Sequence, residues 1–232
     1  MVKGESMKKW EELPKEFQNK EVEYYYTILY AKKRDLLIKR MFDIIVAGIL
    51  LVLLCPVILL IAIAIKIDSK GSAVFSQTRV TSLGKKFRIF KFRTMVENAE
   101  ALGTKVTVQG DSRITKVGRI LRKYRMDELL QLINVLKGDM TFVGTRPEVE
   151  KYVRHYTNEM KATLLLPAGI TSLASIKYKD EDKLLRNAQN IDEVYITQIL
   201  PEKMKYNLKA IEEFSFWSDI KTMFQTVAAV IK

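Results

Sequence analysis

Two acidic residues stand side by side at Asp127 and Glu128, within the segment RMDELLQLINVLKGDM at 125–140. A carboxylate can act as nucleophile, base or metal ligand. At the start of a predicted helix, however, such a pair has a simpler use: it caps the helix and puts negative charge at the positive end of the helix dipole. The neighbours shift the weight between these readings. Arg125 lies immediately upstream, Lys137, Gly138 and Asp139 follow, and then comes Gly144-Thr145-Arg146-Pro147. Further upstream is Lys91-Phe92-Arg93-Thr94-Met95. Arginine offers a planar fork to phosphate oxygens and lysine a point charge. Lys91, Arg93, Arg146 and Pro147 are therefore the candidate substrate-binding residues, the three cations for phosphate and Pro147 following Arg146 in a turn with Gly144. Asp139 reads as a local cap or ion-pair partner.

Other chemistries are poorly served. His155 is the only histidine and has no supporting motif, so a Ser-His-Asp or histidine-metal site has nothing to build on. Cys55 is the only cysteine and lies in an apolar run, which rules out an intrachain disulfide or a cysteine zinc site.

The elements that must position these groups can be read from periodicity. The chain of 232 residues is long enough to bury a real core, and 48% of it is hydrophobic. The net charge of +12 points to an anionic partner: nucleic acid, a membrane surface or a phosphorylated substrate. A nucleic-acid binder is disfavoured, because 27 acidic residues are interleaved with 39 basic ones. Val74-Phe75 and Phe87-Arg88-Ile89-Phe90 predict two short strands, with Ser82-Leu83-Gly84 turning between them. Ile114, Val117, Leu121 and Tyr124 recur at helical spacing among basic residues, which predicts a basic amphipathic helix for a membrane surface or a solvated face. A second helix is expected from about Asp127 to Gly138, a natural stop. Near the end, Phe214, Trp217, Ile220, Phe224, Val227 and Ile231 share one helical face, usable for core packing or interface docking.

From Ile44 to Ile65 the chain is apolar and carries no charge, long enough to cross a bilayer as a helix. Pro56 lies near its middle, where proline removes a backbone donor and kinks or breaks a helix. Lys39 and Arg40 precede the run, and Lys66 and Lys70 follow it. Positive charge marks cytoplasmic flanks. A spanning helix and a hairpin that enters and leaves by one face both stay open on these grounds.

Four motifs in order now carry a resemblance: Lys39-Arg40-Met41-Phe42-Asp43 opening the apolar run, KFRTM at 91–95, RMDELLQLINVLKGDM at 125–140 and GTRP at 144–147. Together they resemble the bacterial sugar transferases, the monotopic phosphoglycosyl transferases, over roughly Leu37 to Lys232. The first 36 residues lie outside it. The resemblance implies an α+β, mostly helical fold: a re-entrant membrane helix, broken at a Ser-Pro pair, and a cytoplasmic globular domain with a small β-hairpin and surface amphipathic helices. The division would be 1–36 as an N-terminal extension, 37–68 as the re-entrant helix broken at Pro56, and 69–232 as the catalytic domain at the bacterial inner membrane, facing the cytoplasm. Cys55 replaces the serine of the Ser-Pro pair.

The resemblance also implies a reaction. Asp127 attacks the β-phosphorus of a UDP-sugar, UMP leaves, and undecaprenyl phosphate takes the sugar phosphate from the covalent aspartate intermediate. Mg²⁺ would neutralise the diphosphate, with Glu128 as its ligand. An aspartate near a helix N-terminus is expected to stay ionised, as a nucleophile must. Leu130, Thr145 and Ser172 depart from the family pattern, and Ser172 is the departure expected to reshape the sugar pocket. The competing enzyme is a glycosyltransferase that leaves the phosphate behind and releases UDP. The sugar, the glycan pathway, a homo-oligomeric state and the role of residues 1–36 are open.

Overall fold

The computed structural model describes residues 7–99, 111–185 and 190–231, with side chains 182, 183 and 231 excepted. Residues 1–6 of the N-terminal extension and the Ile231 side chain therefore lie outside the described residues. In chain order the elements are α1 (Lys20–Ala31), α2 (Lys33–Asp68), β1 (Val74–Val80), β2 (Lys86–Phe92), α3 (Lys116–Lys123), α4 (Gln131–Lys137), β3 (Met140–Val143), α5 (Glu150–Val153), β4 (Ala168–Thr171), α6 (Leu173–Lys177), α7 (Glu181–Leu185), α8 (Ile191–Val194), α9 (Leu200–Glu212) and α10 (Phe216–Ile231). β1 and β2 form the expected antiparallel hairpin, with Val74 opposite Phe92 and Val80 opposite Lys86. The turn at Ser82–Gly84 closes it, Leu83 and Gly84 both taking positive φ. β3 and β4 form a parallel pair that the sequence reading did not name.

The long helix α2 has a mean hydropathy of 3.3 over its most apolar window and enough length to cross a membrane. It does not stand clear of the domain. Near one end Ala47 is fully buried against Leu132 and Val135 of α4 and Met140 of β3. Near the other, Ile61 and Ile65 are buried with Phe92 and Leu121. Between and around these contacts the outward face is bare: Ile49, Val52, Leu53, Leu60, Ile63 and Ile67 are 54% to 82% exposed. Water penalises such an unbroken apolar face, and lipid does not. The break expected at Pro56 is corrected in one respect. Helix runs without interruption from Lys33 to Asp68, so any change of direction at Pro56 is a kink within one helix, not a gap between two. Proline removes one donor and crowds one carbonyl, a local defect that the turns on either side can bridge.

Charged side chains at the start of α2 lock it to the domain. Lys39, 6% exposed, donates to Asp219 of α10 at 2.5 Å and to the Val143 carbonyl at 2.9 Å. Arg40 donates to the Val135 and Leu136 carbonyls at the end of α4. Asp43 accepts from the Thr141 hydroxyl. Substituting Lys39 by methionine leaves Asp219 without its buried partner. The expected loss is about 3 kcal/mol of stability, read by thermal unfolding in detergent.

The N-terminal extension joins the largest core. Phe17, Val22, Tyr25 and Leu29 pack with residues from Val149 through Leu165 and from Tyr195 through Phe214. The C-terminal face is split: Phe214 is buried, whereas Trp217, Phe224 and Val227 are 76%, 73% and 58% exposed. On α3, Leu121 is buried and Ile120 and Tyr124 face outward.

Candidate active site

Asp127 and Glu128 do not begin a helix. They lie on a 3-10 turn, Met126–Glu128, and α4 starts only at Gln131. The cause is Arg125, whose φ of 55° is incompatible with a helix running through it. The expected stop at Gly138 holds, with φ of 85° at the C-cap. Three devices bring the site together. Asn134, fully buried, accepts from the Phe90 N–H and donates to the Arg88 carbonyl, which pins α4 to β2 and sets Lys91 opposite Glu128. Gly144 and Gly169 let two backbones meet: a Cβ on Gly169 would lie 2.2 Å from the Gly144 nitrogen. Gly144 N–H then reaches the Thr171 carbonyl, and Gly169 N–H the Thr145 carbonyl, both at 2.9 Å. The turn that follows carries Arg146 over Glu128.

Glu128 is clamped. Lys91 donates to its Oε1 at 2.9 Å, while Arg146 donates to Oε1 through Nη2 and to Oε2 through Nη1 at 3.2 Å. Burial alone would raise the Glu128 pKa, but Arg146 and Lys91 hold the carboxyl well below the ordinary range. The attraction of Glu128 in turn raises Arg146. Burial lowers Lys91, with Glu128 opposing. Asp127 differs from its neighbour. Burial, then the Glu128 charge, push its pKa up, and Lys91, Arg122 and Arg146 pull it back. The helix N-terminus expected to favour its ionised form is replaced by a single 3-10 turn, so Lys91, Arg122 and Arg146 are the groups that favour it. Asp127 Oδ1 is buried and has no hydrogen-bond partner among the described residues.

Arg93 is not with them. Its guanidinium donates to the Lys70 carbonyl at 2.5 Å and to the Ser69 carbonyl and hydroxyl at 2.7 and 2.9 Å, closing the C-terminal end of α2. This corrects the phosphate-binding expectation for Arg93: its two terminal nitrogens are committed to the fold. Arg93→Lys is expected to cost about 1.5–3 kcal/mol of stability, the range for hydrogen bonds to charged groups. Pro147 is buried, and its carbonyl accepts from Arg79 at 3.1 Å. Asp139 pairs with Lys85 at 3.7 Å, a local role. Ser172 caps α6, accepting from the Ser175 N–H at 3.0 Å. Leu130 packs in the core beside Ile61 and Ile65. His155 is exposed, as is Cys55. Sequence reasoning missed two site residues. Arg122, noted only as part of a basic helix face, donates to Thr94 at 2.9 Å and acts on Asp127. Its place five residues before Asp127 was the available signal. Arg79 carried no signal beyond its positive charge downstream of the apolar run.

Fold and site together define a class: a domain bearing one long apolar helix and a buried carboxylate pair set among cations, equipped for chemistry on phosphate esters. Residues 34–232 match the sequence profile of the bacterial sugar transferase family, and the chain belongs to it. Curated relatives agree. A UDP-N-acetylgalactosamine-undecaprenyl-phosphate N-acetylgalactosaminephosphotransferase of Aeromonas hydrophila is 35% identical over 84% of this chain and 44% of its own length. UDP-glucose:undecaprenyl-phosphate glucose-1-phosphate transferases of Caulobacter vibrioides and Escherichia coli are 35% and 37% identical, over 83% and 82% of this chain and 69% and 39% of theirs. The chain thus spans less than half the length of two of these relatives.

Proposed function

We propose that this chain is a phosphoglycosyl transferase that moves a sugar 1-phosphate from a UDP-sugar to undecaprenyl phosphate through a phosphosugar ester of Asp127. The carrying observation is the convergence of Lys91 and Arg146 on Glu128, beside an Asp127 whose Oδ1 has no partner among the described residues. In the first step the Asp127 carboxylate bonds to the β-phosphorus, the bond to the bridging oxygen breaks, and UMP leaves with that electron pair. In the second, an oxygen of the carrier phosphate attacks the same phosphorus and Asp127 is released. Desolvation, which raises the pKa of Asp127, also makes it the more basic nucleophile. Lys91 and Arg146 neutralise Glu128 in the free site and are the groups that meet incoming phosphate oxygens.

Mg²⁺ fits this donor set. Among the described residues no group of three or more metal-binding side chains is assembled, so a dedicated protein cage is lacking. Magnesium instead takes one or two carboxylates and completes its shell with phosphate oxygens and water. Glu128 would hold it once Lys91 and Arg146 turn from its carboxylate to the phosphate oxygens, with Asp127 adjacent, and the ion would supply neutralisation of the diphosphate charge.

The apolar helix suits a re-entrant path. Both of its ends are covered by the same domain, at Ala47 and at Ile61 and Ile65, and only its outer face is bare. The domain would lie on the cytoplasmic face of the inner membrane, with positive residues on both flanks.

The test is turnover of protein in nanodiscs with Mg²⁺, undecaprenyl phosphate and a panel of UDP-sugars, quantifying UMP against UDP. Release of UMP is expected, and the responding sugar identifies the substrate. Release of UDP would replace this mechanism with ordinary glycosyl transfer.

A further inference from the structure

Two residues beyond Arg146, a carboxylate is buried that the reaction does not use. Glu148 is 6% exposed and sits in the largest core of the protein. Its Oε1 accepts from the Tyr195 hydroxyl at 2.5 Å. Lys203, 4% exposed, donates to that hydroxyl at 3.0 Å, donates to Glu181 of α7 at 2.9 Å and lies 3.7 Å from Glu148 itself. On the other side Arg79 stands 3.9 Å from Glu148 Oε2, and the same nitrogen donates to the Pro147 carbonyl. The Glu148 carbonyl accepts from the Val80 N–H at 3.0 Å. Both residues that follow Arg146 are therefore fixed from β1, by backbone and by side chain.

Stability does not explain this arrangement. Two charged groups, Glu148 and Lys203, are drawn into an apolar core and lose hydration, and apolar side chains of the same volume are often as stable. The local backbone is unusual as well. Tyr195 opens a π-helical turn, Tyr195–Ile199, and such turns are rare and frequently lie at functional sites. The buried tyrosine reaches Glu148 from there, across 47 residues of sequence.

We propose that Glu148 is a positioning residue for Arg146. Through Arg79 on one oxygen, and Tyr195 and Lys203 on the other, it holds the 145–148 turn so that the Arg146 fork faces the place where the diphosphate binds. The same lysine extends the network to Glu181, which also acts on Arg146 electrostatically. The inference rests on the reading of Arg146 as a phosphate-binding group. A site held to within about 0.5 Å tolerates little drift of such a group.

The experiment is a double-mutant cycle on the full chain in nanodiscs, with Mg²⁺-UDP binding measured by calorimetry beside UMP release. Glu148→Gln keeps volume and an acceptor for Tyr195 but removes the charge. It should weaken UDP binding about tenfold, while on an Arg146→Lys background it should add less than about twofold, because both changes act through one group. The KM for undecaprenyl phosphate should not move. Tyr195→Phe removes one hydroxyl, is the milder variant, and should show the same non-additivity at about threefold. Variants that bind UDP as wild type does while unfolding at lower temperature would overturn the proposal, as would losses that simply multiply with Arg146→Lys. Wild type that neither binds UDP nor releases UMP would overturn the reading of Arg146 and the positioning role with it. Intact wild-type binding with multiplying losses would overturn the positioning role alone.

Discussion

Asp127→Asn is expected to lower kcat by on the order of 10⁴-fold, the scale seen when a covalent nucleophile is removed, without destabilising the protein. The two halves of that result have one cause. Asp127 is buried, its Oδ1 lacks a partner, and burial together with the charge of Glu128 opposes its ionised form. Asparagine has nearly the same shape and no charge, so it relieves that penalty while replacing the anionic carboxylate with a weakly nucleophilic amide. UMP release and thermal unfolding, measured on the same preparation, check both halves. Asparagine protein retaining a tenth of wild-type turnover would exclude Asp127 as the nucleophile. The raised pKa also sets a pH expectation. The carboxylate must be ionised to attack, so activity should fall on acidification with an apparent pKa above the ordinary aspartate value of about 3.9.

Arg146→Lys is expected to lower kcat/KM by about 10²-fold, within the range for truncating one member of a buried charge pair. Lysine keeps the charge but cannot reach both oxygens of Glu128, as the guanidinium does through Nη1 and Nη2. Turnover equal to wild type would mean that fork geometry is not used. Arg146→Met goes further and leaves Glu128 held by Lys91 alone, at an expected loss of about 3 kcal/mol. The sign of the pH effect follows. Glu128 has a depressed folded pKa, so its contribution is present above the unfolded value of about 4.3 and is lost as pH falls through the folded one. Removing Arg146 raises the folded value. Thermal unfolding between pH 3 and 7 should then show a smaller change with acid in the methionine variant than in wild type.

Local chemistry was legible in the sequence, and contacts between distant segments were not. The hairpin follows from β-forming residues around Ser82–Gly84, the helix stop from Gly138, and the convergence of Lys91 and Arg146 on the acidic pair from motifs that a family resemblance ties together. The start of α4 was misplaced because the positive φ of Arg125 has no sequence signature at an arginine. Arg93 looked like its neighbour Lys91. Residues two apart on a strand share a face, but β2 ends at Phe92, and Arg93, just past it, is released from that alternation and turns to the end of α2. The parallel pair β3 and β4 has four residues per strand, too few for a period to show. Glu148, Tyr195 and Lys203 lie too far apart in sequence for spacing to relate them.

The packing of α1 has a consequence for how the protein is made. Tyr25 donates to Glu159, 134 residues later, and the apolar face of α1 is covered by still later segments up to Phe214. Ribosomes add about 5–20 residues per second, so that face waits on the order of ten seconds for its partners. The apolar stretch of α2 emerges within that interval. On the proposed membrane reading, insertion of α2 would precede closure of the domain, and α1 would meet its later partners beside a helix already in lipid.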